Sequence, residues 1–390
     1  MSSSGINPLR ERAGRGPAID APTVVLVLSI VLLGLVMVTS ASITIAGGQG
    51  DAFAFLERQL LLVLIGAAAA AVTFAIPTAR LEQLSLPLLL LAVLLLCVVL
   101  VPGLGHVVNG SRRWLRLASM NFQVSEAARV LVLIYIASYA VRYEAALRSG
   151  LPGLFKPLAL LAAIALLLLL EPDFGAASVL FITGFGVLFL AGARWRWMLS
   201  MLLAAGGCMT LLVMFSSYRM RRMTAFMDPW ADPFNSGFQL TQSLIAIGRG
   251  GLFGVGLGAS VQKLFYLPEA HTDFLFAVLA EELGLVGVAV TLGLFLALAW
   301  RAFVIARRAH EAGLKFQSYL ASSFGLWLGV QAFINVGVNM GVLPTKGLTL
   351  PFMSYGRSSL IVTLAWLGLV LRVHHETVHG SRRQLRAERA

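Results

Sequence analysis

The chain has 390 residues, of which 58% are hydrophobic and only 12% charged, a balance that excludes an ordinary soluble surface and makes lipid the solvent for most of it. A net charge of +12 and a pI of about 10.5 raise nucleic acid as a partner. The basic residues are spread along loops, however, with no soluble domain to carry a binding face, so nucleic acid is excluded and membrane topology accounts for the charge.

A bilayer core takes about 20 apolar residues per helix. Segments of that kind are predicted over 22–44, 59–77, 84–104, 126–142, 157–171, 174–193, 197–216, 274–300, 317–340 and 350–372. The expected fold is an all-α polytopic membrane protein of about ten transmembrane helices, with one long extracytoplasmic loop between helices 7 and 8. The first span follows Arg10, Arg12 and Arg15, but its apolar run is longer than the about 7–15 residues of a signal-peptide core, so it reads as an uncleaved first helix. Arg129 and Glu126 enter the fourth span, and Pro157 opens the fifth. Residues 1–21 then form an N-terminal tail, 22–372 the membrane domain, and 373–390 a basic C-terminal tail.

With this topology about 18 of the 30 Lys and Arg residues fall in inner segments, among them Arg301, Arg307, Arg308 and Lys315, which places both termini in the cytoplasm. Cys97 and Cys208 both sit in apolar spans, where they read as small packing residues. No period of 20 to 50 residues is visible, although a diverged inverted repeat stays open.

The loop over about 216–272 is the one long stretch between spans. It holds Phe226, Trp230, Phe234, Phe238, Phe253, Phe265 and Tyr266, and the spacing of 239–248 predicts a short helix lying on the surface. Two further outer loops are polar: 105–125, with Asn109, Arg112, Arg113 and Arg116, and 340–349, with Lys346. Together the three could build one external site.

The densest chemistry lies in YLPEAHTDF, residues 266–274, where Glu269, His271 and Asp273 precede an apolar helix. Partial desolvation there would raise the Asp273 pKa toward that of a useful general base. Thr272 or Asp273 would equally serve as an N-cap, and spacing does not choose between these readings. Glu281 and Glu282 lie about 12–13 Å further along a regular helix, where an acidic pair is costly unless it faces protein, water or substrate. Asn335 and Asn339, spaced i, i+4 near Gly337 and Gly341, read as interhelical hydrogen-bonding groups, and Glu171 and Asp173 around Pro172 as a tight turn. The run GRGGLFGVGLG, 248–258, follows no strand of a βαβ unit and is not a nucleotide loop; flexible backbone near a bulky substrate and plain loop glycines both remain. No H-E-x-x-H, paired-Cys or G-x-S-x-G arrangement occurs. A carboxylate among external cations suits deprotonation of a hydroxyl acceptor while a phosphate-bearing donor is held in place.

At these residues the chain resembles the SEDS family (shape, elongation, division and sporulation) of membrane glycosyltransferases that polymerise peptidoglycan from lipid II. NGSRRW at 109–114, FQVSE at 122–126, EPDFG at 171–175 and LPTKGLTLPFMSYGRSS at 343–359 carry the likeness, and 222–234, 260–274 and 344–351 resemble its division branch more than its elongation branch. The resemblance implies an inverting transfer at the division septum of the bacterial inner membrane. Asp273 would be general base on the 4-hydroxyl of an acceptor GlcNAc that attacks C1 of the donor MurNAc, releasing undecaprenyl pyrophosphate. It further implies Arg113, Lys263 and Lys346 as pyrophosphate ligands, and Glu126, Glu269, His271 and Ser354 as substrate contacts. A divalent cation, Mg or Mn, is implied as cofactor. A class B penicillin-binding protein (the septal transpeptidase) and other divisome proteins are implied as partners. A lipid II flippase and a non-catalytic divisome scaffold are the rival readings. The sequence departs from the family pattern at Val124, where Pro is usual, at Glu171, where Gln is common, and at Arg357, which replaces a Gly.

Overall fold

The structure, a computed structural model, describes residues 19–47, 51, 53–108, 111–117, 120–215, 220, 226–235 and 237–389. Asn109, the basic stretch 10–15 and part of the 222–234 block lie outside the described residues. Each of the ten predicted segments corresponds to a helix: α1 (Ala21–Gly47), α2 (Ala54–Ala75), α4 (Ser85–Leu100), α5 (Val124–Arg142), α7 (Leu151–Leu170), α8 (Phe174–Leu190), α9 (Trp195–Met214), α11 (Leu275–Glu311), α12 (Lys315–Asn339) and α13 (Arg357–Arg389). Among the described residues seven of these are long and apolar enough to cross a membrane, and α4 and α8 are shorter apolar helices. The short α3 (Thr78–Gln83) and α6 (Glu144–Ser149) join neighbours, and α10 (Phe238–Gly250) is the predicted surface helix of the long loop. The protein is thus a polytopic, mainly helical membrane protein in which α5 and α12 are largely buried and α2 mostly exposed.

Four boundaries differ from the sequence expectation, each for a local reason. Helix α7 starts before Pro157 and contains it. The carbonyl of Gly153, which a proline at 157 cannot bond, accepts the Tyr139 hydroxyl at 3.0 Å instead. Helix α13 begins at Arg357 rather than 350, because 350–356 forms a turn with Phe352 at φ 63°, and it runs on to Arg389 through the predicted tail. Helix α11 is broken at Gly284, whose φ of 64° no helix tolerates. Finally, the loop before α5 is a three-stranded antiparallel sheet, β1 (Gly105–Val108), β2 (Ser111–Leu117) and β3 (Met120–Gln123), in the order β1-β2-β3. It is a small addition to an α-helical fold.

Small residues bring the helices close. A Cβ at Gly368 of α13 would stand 2.3 Å from the Ala70 carbonyl and the Thr73 hydroxyl of α2, and Thr73 donates across that gap to the Ala365 carbonyl at 2.7 Å. At the end away from the long loop, Arg301 of α11 grips Asp20 with two hydrogen bonds of 2.8 and 2.5 Å, and Thr23 donates to the same carboxylate. This partnership holds the Asp20 carboxyl at about 2 although burial opposes it.

Candidate functional site

Gln239, Glu269, Asp273, Phe274, Thr345, Lys346 and Gly347 line an open pocket of about 50 Å³ where α10, the segment before α11 and the loop after α12 converge. The long loop and the 340–349 loop therefore meet, as the sequence suggests. Arg113, on β2, adds its charge from the third.

Asp273 does not cap α11: the cap position is Phe274, which has no side-chain cap bond, and Thr272 donates to Glu269 at 2.7 Å. Among the described residues the Asp273 carboxylate accepts no hydrogen bond, while its backbone carbonyl accepts from Asn335 at 2.9 Å and Asn339 at 3.1 Å. Asn335 also donates to the Leu348 carbonyl at 2.6 Å, and the Asn339 side-chain oxygen accepts from the Ala277 N–H at 3.2 Å. The two asparagines thus tie α12 to the Asp273 segment and to the 346–348 strip. The interhelical bonding read from their spacing is real, and what it positions is Asp273. Gly347 lies so close that a Cβ there would stand 2.9 Å from Asp273 Oδ2.

Burial raises the Asp273 pKa to about 7, the neighbouring Glu269 adds to this, and Arg113 pulls the other way. A carboxyl raised this far, with no hydrogen bond to its oxygens among the described residues, has the character of a proton acceptor near neutrality. Glu269 is exposed beside it, at a φ of 56° unusual for a non-glycine residue. Lys346 supplies the cation: its ammonium rests 3.6 Å from the centroid of the Phe174 ring, and burial lowers its pKa to about 8. Arg113 approaches Asp173 at 3.8 Å. Its neighbour Arg112 faces the other side of β2 and donates to the Leu100 carbonyl at 3.2 Å, as alternation along a strand requires.

Three expected substrate contacts lie elsewhere. Lys263 is 3% exposed and bonds Glu282 at 2.8 Å and Ser40 at 2.9 Å, so its charge is spent inside the protein. Glu126 is buried in an ion pair with Arg129, which also donates to Gln331 at 2.8 Å and stacks 5.0 Å from the Trp327 ring centroid. The Ser354 hydroxyl accepts from the Leu350 N–H at 3.0 Å and closes the 350–354 turn. His271 does not line the pocket; its ring is edge-on to Phe55 at 5.1 Å, its buried Nδ1 has no partner among the described residues, and burial depresses its pKa.

The acidic pair is also accounted for. Glu281 accepts from Ser260 Oγ at 2.5 Å and from the Val261 and Gln262 N–H groups at 3.2 and 3.3 Å, and Glu282 from Ser40 and Lys263. Asp173 caps α8 through the Ala176 N–H at 3.0 Å and accepts from Ser125 and Gln123 at 3.1 Å each, which is more than a turn requires. Glu171 is fully buried with neither carboxylate oxygen bonded among the described residues, and burial raises its pKa to about 8. A protonated acid close to glutamine in shape and charge explains why Glu fits a position where Gln is common. Val124 is the first residue of α5, a position that suits proline as well. Arg357 opens α13 without a positive φ, so its backbone needs no glycine.

Among the described residues no three His, Cys, Asp or Glu side chains gather into a metal cluster. Pocket residues that the sequence did not single out, Gln239, Thr345 and Gly347, carry no individual signal; only the PTKG run beside Lys346 hints at the last two.

The fold and the pocket define the class: a polytopic, mainly helical membrane protein with a carboxylate and a lysine lining one open pocket. The family described as Cell cycle protein (FTSW_RODA_SPOVE) matches residues 21–379, and the chain belongs to it. It is 56% identical to the "Probable peptidoglycan glycosyltransferase FtsW" of Thioalkalivibrio sulfidiphilus, over 91% of this chain and 89% of that one. It is 50% identical to the protein of the same name from Halorhodospira halophila, over 97% and 98%. A solved chain from work on "Structural coordination of polymerization and crosslinking by a peptidoglycan synthase complex" superposes with a TM-score of 0.78 at 34% identity, covering 93% of this chain and 99% of that chain. The Thermus thermophilus Rod shape determining protein RodA superposes with a TM-score of 0.66 at 33% identity, over 92% and 97%.

Proposed function

We propose that the chain is a peptidoglycan glycosyltransferase that polymerises lipid II at the division septum of the inner membrane, with both termini in the cytoplasm. The observation that carries this is Asp273, an unpartnered carboxylate with a pKa of about 7, held by Asn335 and Asn339 in the pocket that Lys346 lines. Asp273 accepts the proton of the acceptor 4-hydroxyl as its oxygen bonds to C1 of the donor sugar. The bond from C1 to the diphosphate oxygen breaks on the opposite face, and the lipid diphosphate leaves with the electron pair, giving inversion. Lys346 and Arg113 offset the charge that develops on the leaving group.

Mg or Mn is proposed only as a companion of the donor diphosphate. The described residues offer no three-ligand cage, and magnesium characteristically uses one or two carboxylates plus substrate phosphates; no step above depends on it. A class B penicillin-binding protein is the proposed partner, crosslinking the strands made here, with other divisome proteins around the pair. The flippase reading relied on Glu281 and Glu282 lining a path, and both are saturated by internal hydrogen bonds. Glycan formation from purified lipid II by this chain with that partner tests the proposal: polymer from wild type supports it, and lipid II translocation without polymer replaces it with the flippase.

A further inference from the structure

Beyond its break at Gly284, α11 runs unbroken to Glu311, about 40 Å at 1.5 Å per residue, against the hydrocarbon core of about 30 Å that about 20 residues cross. Arg301, ten residues before the helix ends at Glu311, is bonded to Asp20 ahead of the first span. Counting back from Arg301, the unbroken turns reach the break at Gly284 after about 25 Å, with Glu281 and Glu282 just beyond it, near the far side of the hydrocarbon core. Residues 275–282, buried on every side, then lie above the hydrocarbon. The acidic pair belongs at the membrane boundary, not deep within it.

At that level the glycine-rich run docks onto the broken helix. The N–H groups of Val255 and Gly256 donate to the carbonyls of Glu281 and Glu282 at 3.0 and 3.1 Å, and those of Leu285 and Val286 donate to Gly251 and Leu252 at 2.9 and 3.1 Å. Gly254 has a φ of 82°, and a Cβ there would stand 2.0 Å from the Glu282 carbonyl; one at Gly284 would stand 2.3 Å from the Gly254 nitrogen. The glycines serve close packing rather than looseness, and the run does not line the pocket. Its apolar side chains point away from the protein. Phe253 is 81% exposed and Leu252 62%, with Leu257 nearby, and they continue the exposed face of Leu285, Val286 and Val290 on α11. Arg249, half exposed, stands one turn before them, one guanidinium nitrogen 3.8 Å from the Glu281 carboxylate and the rest open to the outside.

We propose that residues 251–257 form a wedge immersed in the lipid of the pocket-side leaflet, with Leu252, Phe253 and Leu257 among the upper acyl chains and Arg249 at the phosphates. Continuity with the lipid-facing side of α11 identifies the occupant as lipid. From the wedge, the chain passes through the bonds of Ser260, Val261 and Gln262 to Glu281 and on to Asp273. The wedge thereby sets the height of the base above the membrane, a consequence that rests on the proposed role of Asp273, whereas the immersion itself does not.

The test uses the full chain with Cys97→Ser and Cys208→Ser, spin-labelled at Phe253→Cys and reconstituted in phosphatidylcholine–phosphatidylglycerol vesicles. Collision rates with oxygen and with a water-soluble nickel chelate give its depth. Leu296→Cys supplies the lipid reference and Arg307→Cys the aqueous one. Immersion predicts that 253 resembles 296 in favouring oxygen, at about 5–10 Å below the headgroups. A label that collides with nickel as at 307, or one shielded from both probes by protein, overturns the wedge without touching the polymerase reading. For the height-setting consequence, Phe253→Asp should lose more activity in vesicles than in detergent, and an equal loss in both refutes it.

Discussion

The pocket predicts a narrow pH profile for glycan synthesis. Asp273 works ionised, so activity is lost as pH falls through its pKa of about 7; Lys346 works protonated, so activity is lost as pH rises through about 8. The fraction of molecules with both groups correct is about 0.6 at pH 7.5 and about 0.1 at pH 6 and at pH 9, a fall of about sixfold on each side. Initial rates of strand formation from purified lipid II, in one detergent at constant ionic strength, give the profile. Lys346→Arg should keep the acid limb and remove the alkaline one, because guanidinium stays charged throughout. Glu269→Gln should move the acid limb to lower pH, because one cause of the raised Asp273 pKa has gone. An acid limb near the ordinary carboxylate value of about 4, or one indifferent to Glu269→Gln, refutes the reasoning.

Further substitutions separate positioning from support. Gly347→Ala places a methyl 2.9 Å from the Asp273 carboxylate; the flexible side chain yields, so melting temperature should hardly change while kcat falls about 10- to 100-fold. Asn339→Ala removes one of two bonds to the Asp273 carbonyl and one of the two acceptors of the Ala277 N–H, which keeps the Phe274 carbonyl at 3.0 Å; this should cost about 0.5–1.5 kcal/mol in thermal unfolding and lower kcat more than it raises KM. Lys263→Ala leaves Glu282 without its ammonium partner, a loss of about 3–5 kcal/mol. It should leave KM for lipid II unchanged in the protein that survives, in contrast to a raised KM for Lys346→Ala.

Much of the fold was legible because lipid imposes one requirement on every span: each of the ten apolar segments became a helix, and seven of them, among the described residues, are long and apolar enough to cross a membrane. The sheet was not: SRRWLRL at 111–117 carries no apolar alternation, and pairing with β1 and β3 makes it a strand. The break at Gly284 was hidden because glycine is common in apolar spans, and only its collision with Gly254 reveals it. Asp273, Glu269 and Lys346 were readable from short motifs lying near one another in the long loop and after α12. Lys263 was misplaced because its partners are remote in sequence, Glu282 by 19 residues and Ser40 by 223. Glu126 and Ser354 have partners close in sequence, Arg129 and the Leu350 N–H, yet a polar residue at a span's mouth looks available until that partner is placed.

The central claim is that Asp273 takes the acceptor's proton. Strand formation from purified lipid II by wild type and Asp273→Asn, each with the transpeptidase partner, tests it most directly, with thermal unfolding at pH 8 run beside it. Because the folded pKa of Asp273 lies above its unfolded value, its charge destabilises the fold increasingly as pH rises from about 4 through about 7. The asparagine variant should therefore be folded, at least as stable as wild type at pH 8, and unable to make polymer. Equal polymer from both proteins would contradict the account.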